Sequence, residues 1–350
     1  MSSSRSFAFS FVLFAVACSD AEPDTSPSDP AYPEIEAKFE AAEADGFSGA
    51  ALVTVDGNRA VARGFSYSNR ETEVQNTTST AFDVGSLMKD LTAAAIFLLD
   101  EEGELSLSDT LGQIFPDVPD DKTDITVLQI VQHAAGFDEY HDTEGDFEPM
   151  SREEARSRIL DQELLFAPGT DEAYSNSGYT LLADIIETVS GTPFTEFVHE
   201  KLLSRANMEQ SGFYSEPLWQ SVDTAIGYDS DSFEDNDPAT WPYTWALVGN
   251  GGLVSSVEDL DRWIVALEGG QVLSPDTFET MKSEYLELGA VIIEDEVVYA
   301  GAGAGDFGLG GVAVSIPGRN TRILLASNSY DTYDVEALAE ELILSVLEPE

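Results

Sequence analysis

Two residues three positions apart, Ser86 and Lys89, open the most apolar stretch of the chain. The stretch begins Phe82-Asp83-Val84-Gly85-Ser86-Leu87-Met88-Lys89-Asp90, and from Leu91 to Leu99 every residue except Thr92 is apolar. A helix apolar on all sides is a buried helix. The sequence holds only five lysines, and an ammonium at the head of such a helix is costly unless it has a partner or a task. Their spacing puts Ser86 and Lys89 on one face of the first turn, where the helix N-terminus favours an alkoxide or an oxyanion formed beside it. That is the equipment for making a hydroxyl nucleophilic without histidine: burial lowers the amine pKa, and the neutral amine takes or relays the proton. The same residues also fit a blander role, an N-cap serine followed by a lysine whose stem lies along apolar surface.

Other chemistry-bearing residues are weaker. The three histidines, His133, His141 and His199, are scattered, and no Gly-x-Ser-x-Gly elbow is present, which disfavours a Ser-His-Asp triad. His133 lies near Gly136 at a helix end and reads as a structural hydrogen-bonder. His141 with Asp142 is a minimal donor pair, short of a metal site, and neither metal nor cofactor is expected. Gly303-Ala304-Gly305-Asp306-Phe307-Gly308 has the spacing of a dinucleotide-binding loop, but strand-forming residues follow where a helix is required. Those glycines instead let the backbone pass close to a ligand or turn between strands. The aromatic run Trp241-Pro242-Tyr243-Thr244-Trp245 can floor an acyl pocket or pack in the core.

The elements that must position these residues fall into two kinds. A helix is expected from Tyr32 to about Ala44, then a hairpin of Ser48–Val55 and Arg59–Tyr67 around Asp56-Gly57-Asn58. After the central helix, which ends near Gly103, helical patterns continue to about Tyr243. Thr126 caps Val127–His133, Ser151 with Glu154 forms a capping box, and helices run Gly178–Val189 and Pro193–Leu203. Beyond Gly249-Asn250-Gly251-Gly252, a helix at Val257–Leu267 precedes strands at Ala290–Ile293, Val297–Tyr299, Val312–Ile316 and Ile323–Ser327, with a closing helix at Asp334–Leu347. Strands at both ends with helices between imply an α+β fold: an antiparallel sheet completed by the C-terminal part, a helical region inserted, and the site where the two meet.

Among 350 residues, 66 Asp and Glu face 16 Lys and Arg, a formal net charge of -50. That excludes a basic nucleic-acid footprint and disfavours anionic membranes. Carboxylates spread along the whole chain read as a solvated acidic surface suited to high salt. Residues 1–17 carry Arg5, an apolar run from Phe7 and no acid, which reads as an export signal too short to span a membrane. Ala15-Val16-Ala17-Cys18 then looks like a bacterial lipobox. Cys18 is the only cysteine, and a lipid anchor explains it better than packing does. Residues 18–33, rich in Pro, Ser, Asp and Glu, read as the anchor and a flexible tether.

From about Phe47 to Asn328 the chain resembles the serine β-lactamase and penicillin-binding-protein superfamily, in particular its class C β-lactamase, DD-peptidase and esterase branch. The resemblance is carried by Phe82 to Lys89, Ile125-Thr126-Val127-Leu128 leading to His133-Ala134-Ala135-Gly136-Phe137, and Pro168-Gly169 before Tyr174-Ser175-Asn176. It continues through Gly251-Gly252-Leu253-Val254-Ser255-Ser256 and Pro317 to Asn328. It implies a β-lactamase/transpeptidase-like domain over 34–347, with an α/β part at about 34–100 and 246–347 and a helical part at about 101–245. It also implies roles: Ser86 as the acylated nucleophile, Lys89 as its partner, Tyr174 as general base and acid, and Asn176 as the residue holding Lys89 and the substrate amide. A second tripeptide, Tyr67-Ser68-Asn69, reads as strand-end structure.

The third motif departs from the family. Where a lysine or histidine would grip a substrate carboxylate, the matching stretch is Tyr299-Ala300-Gly301, with a backbone donor near Gly301 left to complete an oxyanion hole. Two readings follow. One is an exported, envelope-located serine hydrolase of a small-molecule or peptide ester or amide, touching the membrane only through its anchor. The other is a catalytically silent envelope binding protein of the same fold. The sequence leaves the oligomeric state open.

Overall fold

The computed structural model describes residues 32–140, 145–228 and 236–347. The expected signal, Cys18 and most of the tether, together with His141 and Asp142, therefore lie outside the described residues. The organising element is a six-stranded antiparallel sheet in the order Asn58–Phe65, Gly49–Val55, Thr321–Ser327, Gly310–Ile316, Glu296–Ala304, Val291–Ile293. The N-terminal hairpin turns through Asp56 and Gly57, both left-handed (φ 48° and 78°), as the tight hairpin turn requires, and Asn58 already belongs to the second strand. The first strand pairs with the last, Gly49 opposite Ser327 and Thr54 opposite Arg322, so the two ends of the chain close one sheet.

Both faces of that sheet are covered, which explains strands that are buried without alternation. In Thr321–Ser327, Ile323 and Leu325 meet the terminal helices Pro33–Ala44 and Val335–Leu347, joined by Phe39, Phe47, Phe65 and Leu342. Leu324 and Ala326 point the other way, into the core shared with helix Val257–Glu268 and the central helix, Met88–Glu101. The central helix is buried on nearly every side, as its composition requires, and packs against helix Asn176–Ser190 of the helical region. That region is pinned by buried Asp184, whose carboxylate takes hydrogen bonds from both Arg152 and Arg156.

Several boundaries differ from the sequence reading. The helix capped by Thr126, with its reciprocal Gln129 bond, stops at Val131, because His133 adopts a left-handed φ of 56°. The 193–203 stretch is two pieces, Phe194–Val198 followed by a wider turn at His199–Leu203. A helix at Pro275–Glu284, unassigned from sequence, is marked by its Ser274 cap and by Pro275 at the first position. The Glu296–Ala304 strand runs on past Tyr299 through three small residues and two glycines that propensity alone would not call strand. Among the described residues no helix is long and apolar enough to cross a membrane.

Candidate active site

The nucleophile candidate sits on a tight turn leading into the central helix. Strand Phe82–Asp83 leads into a tight turn at Gly85–Leu87, with Gly85 at φ 52°, before the helix begins at Met88. Buried Asp83 holds this turn: one carboxylate oxygen accepts the Gly85 N–H at 2.9 Å and the other accepts the Tyr214 hydroxyl at 2.7 Å. Burial pushes the Asp83 carboxyl up to about 6, against the lowering by those hydrogen bonds.

Ser86 Oγ lies at the centre of a three-residue cluster. Lys89 Nζ donates to it at 3.1 Å, and the Tyr174 hydroxyl lies 2.7 Å from it. The second ammonium partner is the Asn250 carbonyl at 2.6 Å. Nζ also stands 4.8 Å from the Tyr174 ring centroid. Desolvation lowers the Lys89 pKa to about 7, opposed by the field of Glu139, Asp146 and Asp90. Burial likewise raises the Tyr174 phenol above its usual value, against the lowering from Ser86. At neutral pH the amine is therefore near its titration midpoint and the phenol is protonated.

Tyr174 is positioned by backbone geometry. It immediately precedes helix Asn176–Ser190, whose cap, Ser175, accepts the Gly178 N–H at 3.0 Å. The Ser175 N–H donates to His133 Nδ1 at 3.1 Å, the Ala173 N–H donates to the His133 carbonyl at 3.0 Å, and the imidazole stacks on the Tyr174 ring at 4.9 Å. Burial pushes the His133 pKa down to about 4, keeping the ring neutral with Nδ1 as the acceptor. His133 thus acts as a structural hydrogen-bonder, as its position in the sequence suggested.

One expectation needs correction. Asn176 does not hold Lys89. It is the first residue of its helix, its backbone N–H donates to Glu139 Oε1 at 3.1 Å, and its side chain makes no hydrogen bond among the described residues. Asn250 does the holding, through a carbonyl fixed by its own buried side chain, which donates to Thr180 at 2.8 Å and to the Ala246 carbonyl at 3.2 Å. Its place in Gly249-Asn250-Gly251-Gly252 marked a turn, but a backbone carbonyl leaves no residue-type signal. Of the two roles open to the aromatic run, the structure shows packing: Trp241 packs on Phe147 and Tyr214, and Tyr243 on Phe213, away from the cleft. Tyr67-Ser68-Asn69 stays out of the cluster, but it is a separate short strand paired with Val74–Gln75, set off from the hairpin strand by left-handed Ser66 (φ 57°), rather than that strand's end.

The glycines of the 296–304 strand have a structural cause. Residues 301, 303 and 305 share one face. A Cβ on Gly301 would meet Leu87 Cδ2 at 3.2 Å, one on Gly303 the Val84 carbonyl oxygen at 2.1 Å, and one on Gly305 the Asp83 carboxylate at 2.3 Å. The strand lies directly on the nucleophile turn, so the close approach is to the protein's own turn: its backbone at Gly303 and its side chains at Gly301 and Gly305. Only a single 3-10 turn at Asp306–Gly308 follows before the next strand, Gly310–Ile316, and with no α-helix there the dinucleotide reading is excluded.

A cleft of about 860 Å³ starts at Ser86, Lys89 and Tyr174 and runs between this strand and the helices Val257–Glu268 and Pro275–Glu284. Tyr299, Ala300 and Gly301 all line it. Among the described residues no group of three metal-ligating side chains occurs.

A serine shared by a lysine and a tyrosine, at the seam between an antiparallel sheet and a helical region, defines the serine β-lactamase and penicillin-binding-protein class. The model of the Beta-lactamase family matches residues 35–347, and the chain belongs to that family. It is 31% identical over 240 residues to PbpX of Bacillus subtilis (strain 168), a candidate penicillin-binding protein by name, covering 67% of this chain and 59% of that protein. It is 27% identical over 242 residues to the D-alanyl-D-alanine-carboxypeptidase/endopeptidase AmpH of Escherichia coli (strain K12), covering 67% and 60%. The chain thus spans about three fifths of the length of these curated relatives. The octameric penicillin-binding protein homologue from Pyrococcus abyssi superposes with a TM-score of 0.76 at 25% identity, over 90% of this chain and 77% of that one.

Proposed function

We propose that the chain is a serine hydrolase that cleaves an ester or amide through a covalent acyl intermediate on Ser86. The observation that carries this reading is the position of Ser86 Oγ, 3.1 Å from an amine poised near neutrality and 2.7 Å from a protonated phenol. The neutral Lys89 amine takes the Ser86 proton as Oγ attacks the carbonyl carbon. The developing oxyanion is received by the Ser86 N–H and by an N–H of the adjacent Glu296–Ala304 strand, whose Gly303 lies against the Ser86 amide. Tyr174 gives its proton to the departing oxygen or nitrogen and is reprotonated from Lys89. Water then repeats the sequence on the acyl-enzyme and frees Ser86. The burial of Lys89 supports Lys89 rather than Tyr174 as the base, which refines the role the resemblance gave Tyr174.

The third motif bears on the substrate. Tyr299 brings a phenol where the family usually places a cation. The cleft's other lysine, Lys282, is paired with Glu279. Recognition of a substrate carboxylate is correspondingly disfavoured. We also read residues 1–17 as an export signal and Cys18 as a lipid attachment site, placing the protein at the cell envelope. Partition of the full-length protein into a detergent phase, abolished by Cys18→Ala, tests the anchor.

The hydrolase reading is tested by intact mass after exposure of the folded protein to a fluorophosphonate in high salt, beside Ser86→Ala. A single adduct on the parent, absent from the variant, is expected. No adduct on folded protein overturns the hydrolase reading in favour of the silent binding protein.

A further inference from the structure

The cleft that begins at Ser86 is far larger than the acyl transfer itself needs. Its volume of about 860 Å³ falls in the range of sites that enclose whole drug-sized ligands, roughly 300–1,000 Å³. Away from Ser86 its walls are Leu260, Trp263, Ile264 and Leu267 of one helix, Phe278 of the next, and Ala313 of the sheet. The sheet contributes room as well as apolar surface. Gly301 and its cross-strand partner Ala313 sit side by side on the face that borders the cleft, where larger side chains would fill it.

The charged groups along this arm are already engaged. Glu268 accepts the Ser315 hydroxyl at 2.7 Å, Glu296 pairs with Arg319 at 2.9 Å, Asp90 accepts the Tyr285 hydroxyl at 2.6 Å, and Glu279 pairs with Lys282. The two other carboxylates that line it, Glu172 and Asp295, are solvent-exposed. What the arm offers a ligand is therefore apolar surface with no unengaged cation. An apolar substrate group gains from burial there, whereas a carboxylate would be desolvated opposite carboxylates.

We infer that the arm lined by Trp263, Ile264, Leu267, Phe278 and Ala313 is a substrate subsite for an extended apolar chain, making the preferred substrates of Ser86 esters or amides with a medium or long alkyl or aralkyl arm. This rests on the hydrolase reading above and names its substrate class.

Two homologous series test it on the full folded chain: 4-nitrophenyl esters from acetate to decanoate, and alkyl acetates from methyl to octyl. Fluorophosphonate labelling of Ser86 is measured alongside. In one of the series kcat/KM should climb by up to about fourfold per added methylene until the arm is full, giving at least a tenfold preference over the shortest member. Ala313→Phe and, separately, the partly exposed Ile264→Phe should each cut the ratio of long-chain to short-chain kcat/KM at least tenfold. A flat profile in both series overturns the inference, as does a long-to-short ratio unmoved in a folded variant. If Ser86 labels normally in that case, the hydrolase reading stands. Absence of labelling overturns the hydrolase reading and this inference together. The wild-type profiles decide the matter if neither variant folds.

Discussion

Gly303 lies against the backbone of Ser86 so closely that a Cβ on it would come within 2.6 Å of the Ser86 amide nitrogen and 2.1 Å of the Val84 carbonyl oxygen. Both contacts are backbone, so neither neighbour can rotate away. Gly303→Ala must push the strand from the turn or the turn from the strand. We expect a cost of at least about 1–3 kcal/mol, and a loss of turnover on the order of a hundredfold from the displaced nucleophile. Gly301→Ala is the control for stability, because its Cβ would meet only the end of the Leu87 side chain at 3.2 Å. Melting temperatures and kcat/KM of the two variants check this. Equal effects on melting temperature would remove the close-approach account of these glycines.

The pH dependence of turnover follows from Lys89. Its amine, lowered to about 7 by desolvation, must be neutral to accept the Ser86 proton. Activity should therefore rise with pH through about 7. Tyr174 must stay protonated to serve the leaving group, and its pKa is raised above the usual phenol value. The profile should thus hold level through pH 9. Arginine cannot supply a neutral base, so Lys89→Arg should lose roughly 10²–10⁴ in kcat/KM together with the ascending limb. A wild-type profile already flat from pH 5 to 8 would rule Lys89 out as the base.

How much of this was legible in the sequence depended on whether a feature is local. The Asp56-Gly57 turn, the Thr126 and Ser151 caps and the all-apolar central helix are written in neighbouring residues and stand where the pattern put them, although at Ser151 only the cap forms, because the Glu154 carboxylate pairs with Arg158 instead of completing the box. So is the Ser86 and Lys89 pair, which one helical turn brings together. Tyr174 reached the cluster only through the family resemblance, since 88 positions separate it from Ser86. The hold on Lys89 is not legible in the sequence, because its partner is a main-chain carbonyl, available at any residue type. The helix at Pro275–Glu284 carried a cap signal, yet most of its residues are polar and only Met281 is buried, so no apolar period announced it.

Asp83 should make stability depend on pH in a defined direction. An aspartate with an ordinary value near 3.8 in the unfolded chain and about 6 in the folded one binds its proton more tightly when folded. Stability from this group is complete below about pH 4 and is lost as pH rises through 6, by roughly 3 kcal/mol at most. Asp306, pushed up to about 7 by burial and by Asp146, Asp83 and Asp331, adds a loss of the same sign. Asp83→Asn keeps a carbonyl for the Gly85 N–H and removes the first titration. Its melting temperature should decline less than the wild type's between pH 5 and 8. Parallel declines would mean that Asp83 carries its proton equally in both states.

The acidic surface makes a prediction about salt. A formal net charge of -50 means that carboxylates repel one another across the folded surface more than across an expanded chain. The available cations are largely spent in local pairs such as Lys38 with Glu341, Lys201 with Glu102 and Arg322 with Asp261. Added salt shortens the screening distance from about 10 Å at 0.1 M to about 3 Å at 1 M, so the repulsion should fade over that range. The melting temperature should rise steeply with sodium chloride below about 0.5 M and then flatten as screening saturates. Sodium perchlorate, which otherwise tends to destabilise, should match chloride at equal low ionic strength if charge screening is the cause. A melting temperature indifferent to salt would show that the carboxylates are too well solvated, or too evenly spaced, for their repulsion to weigh on folding.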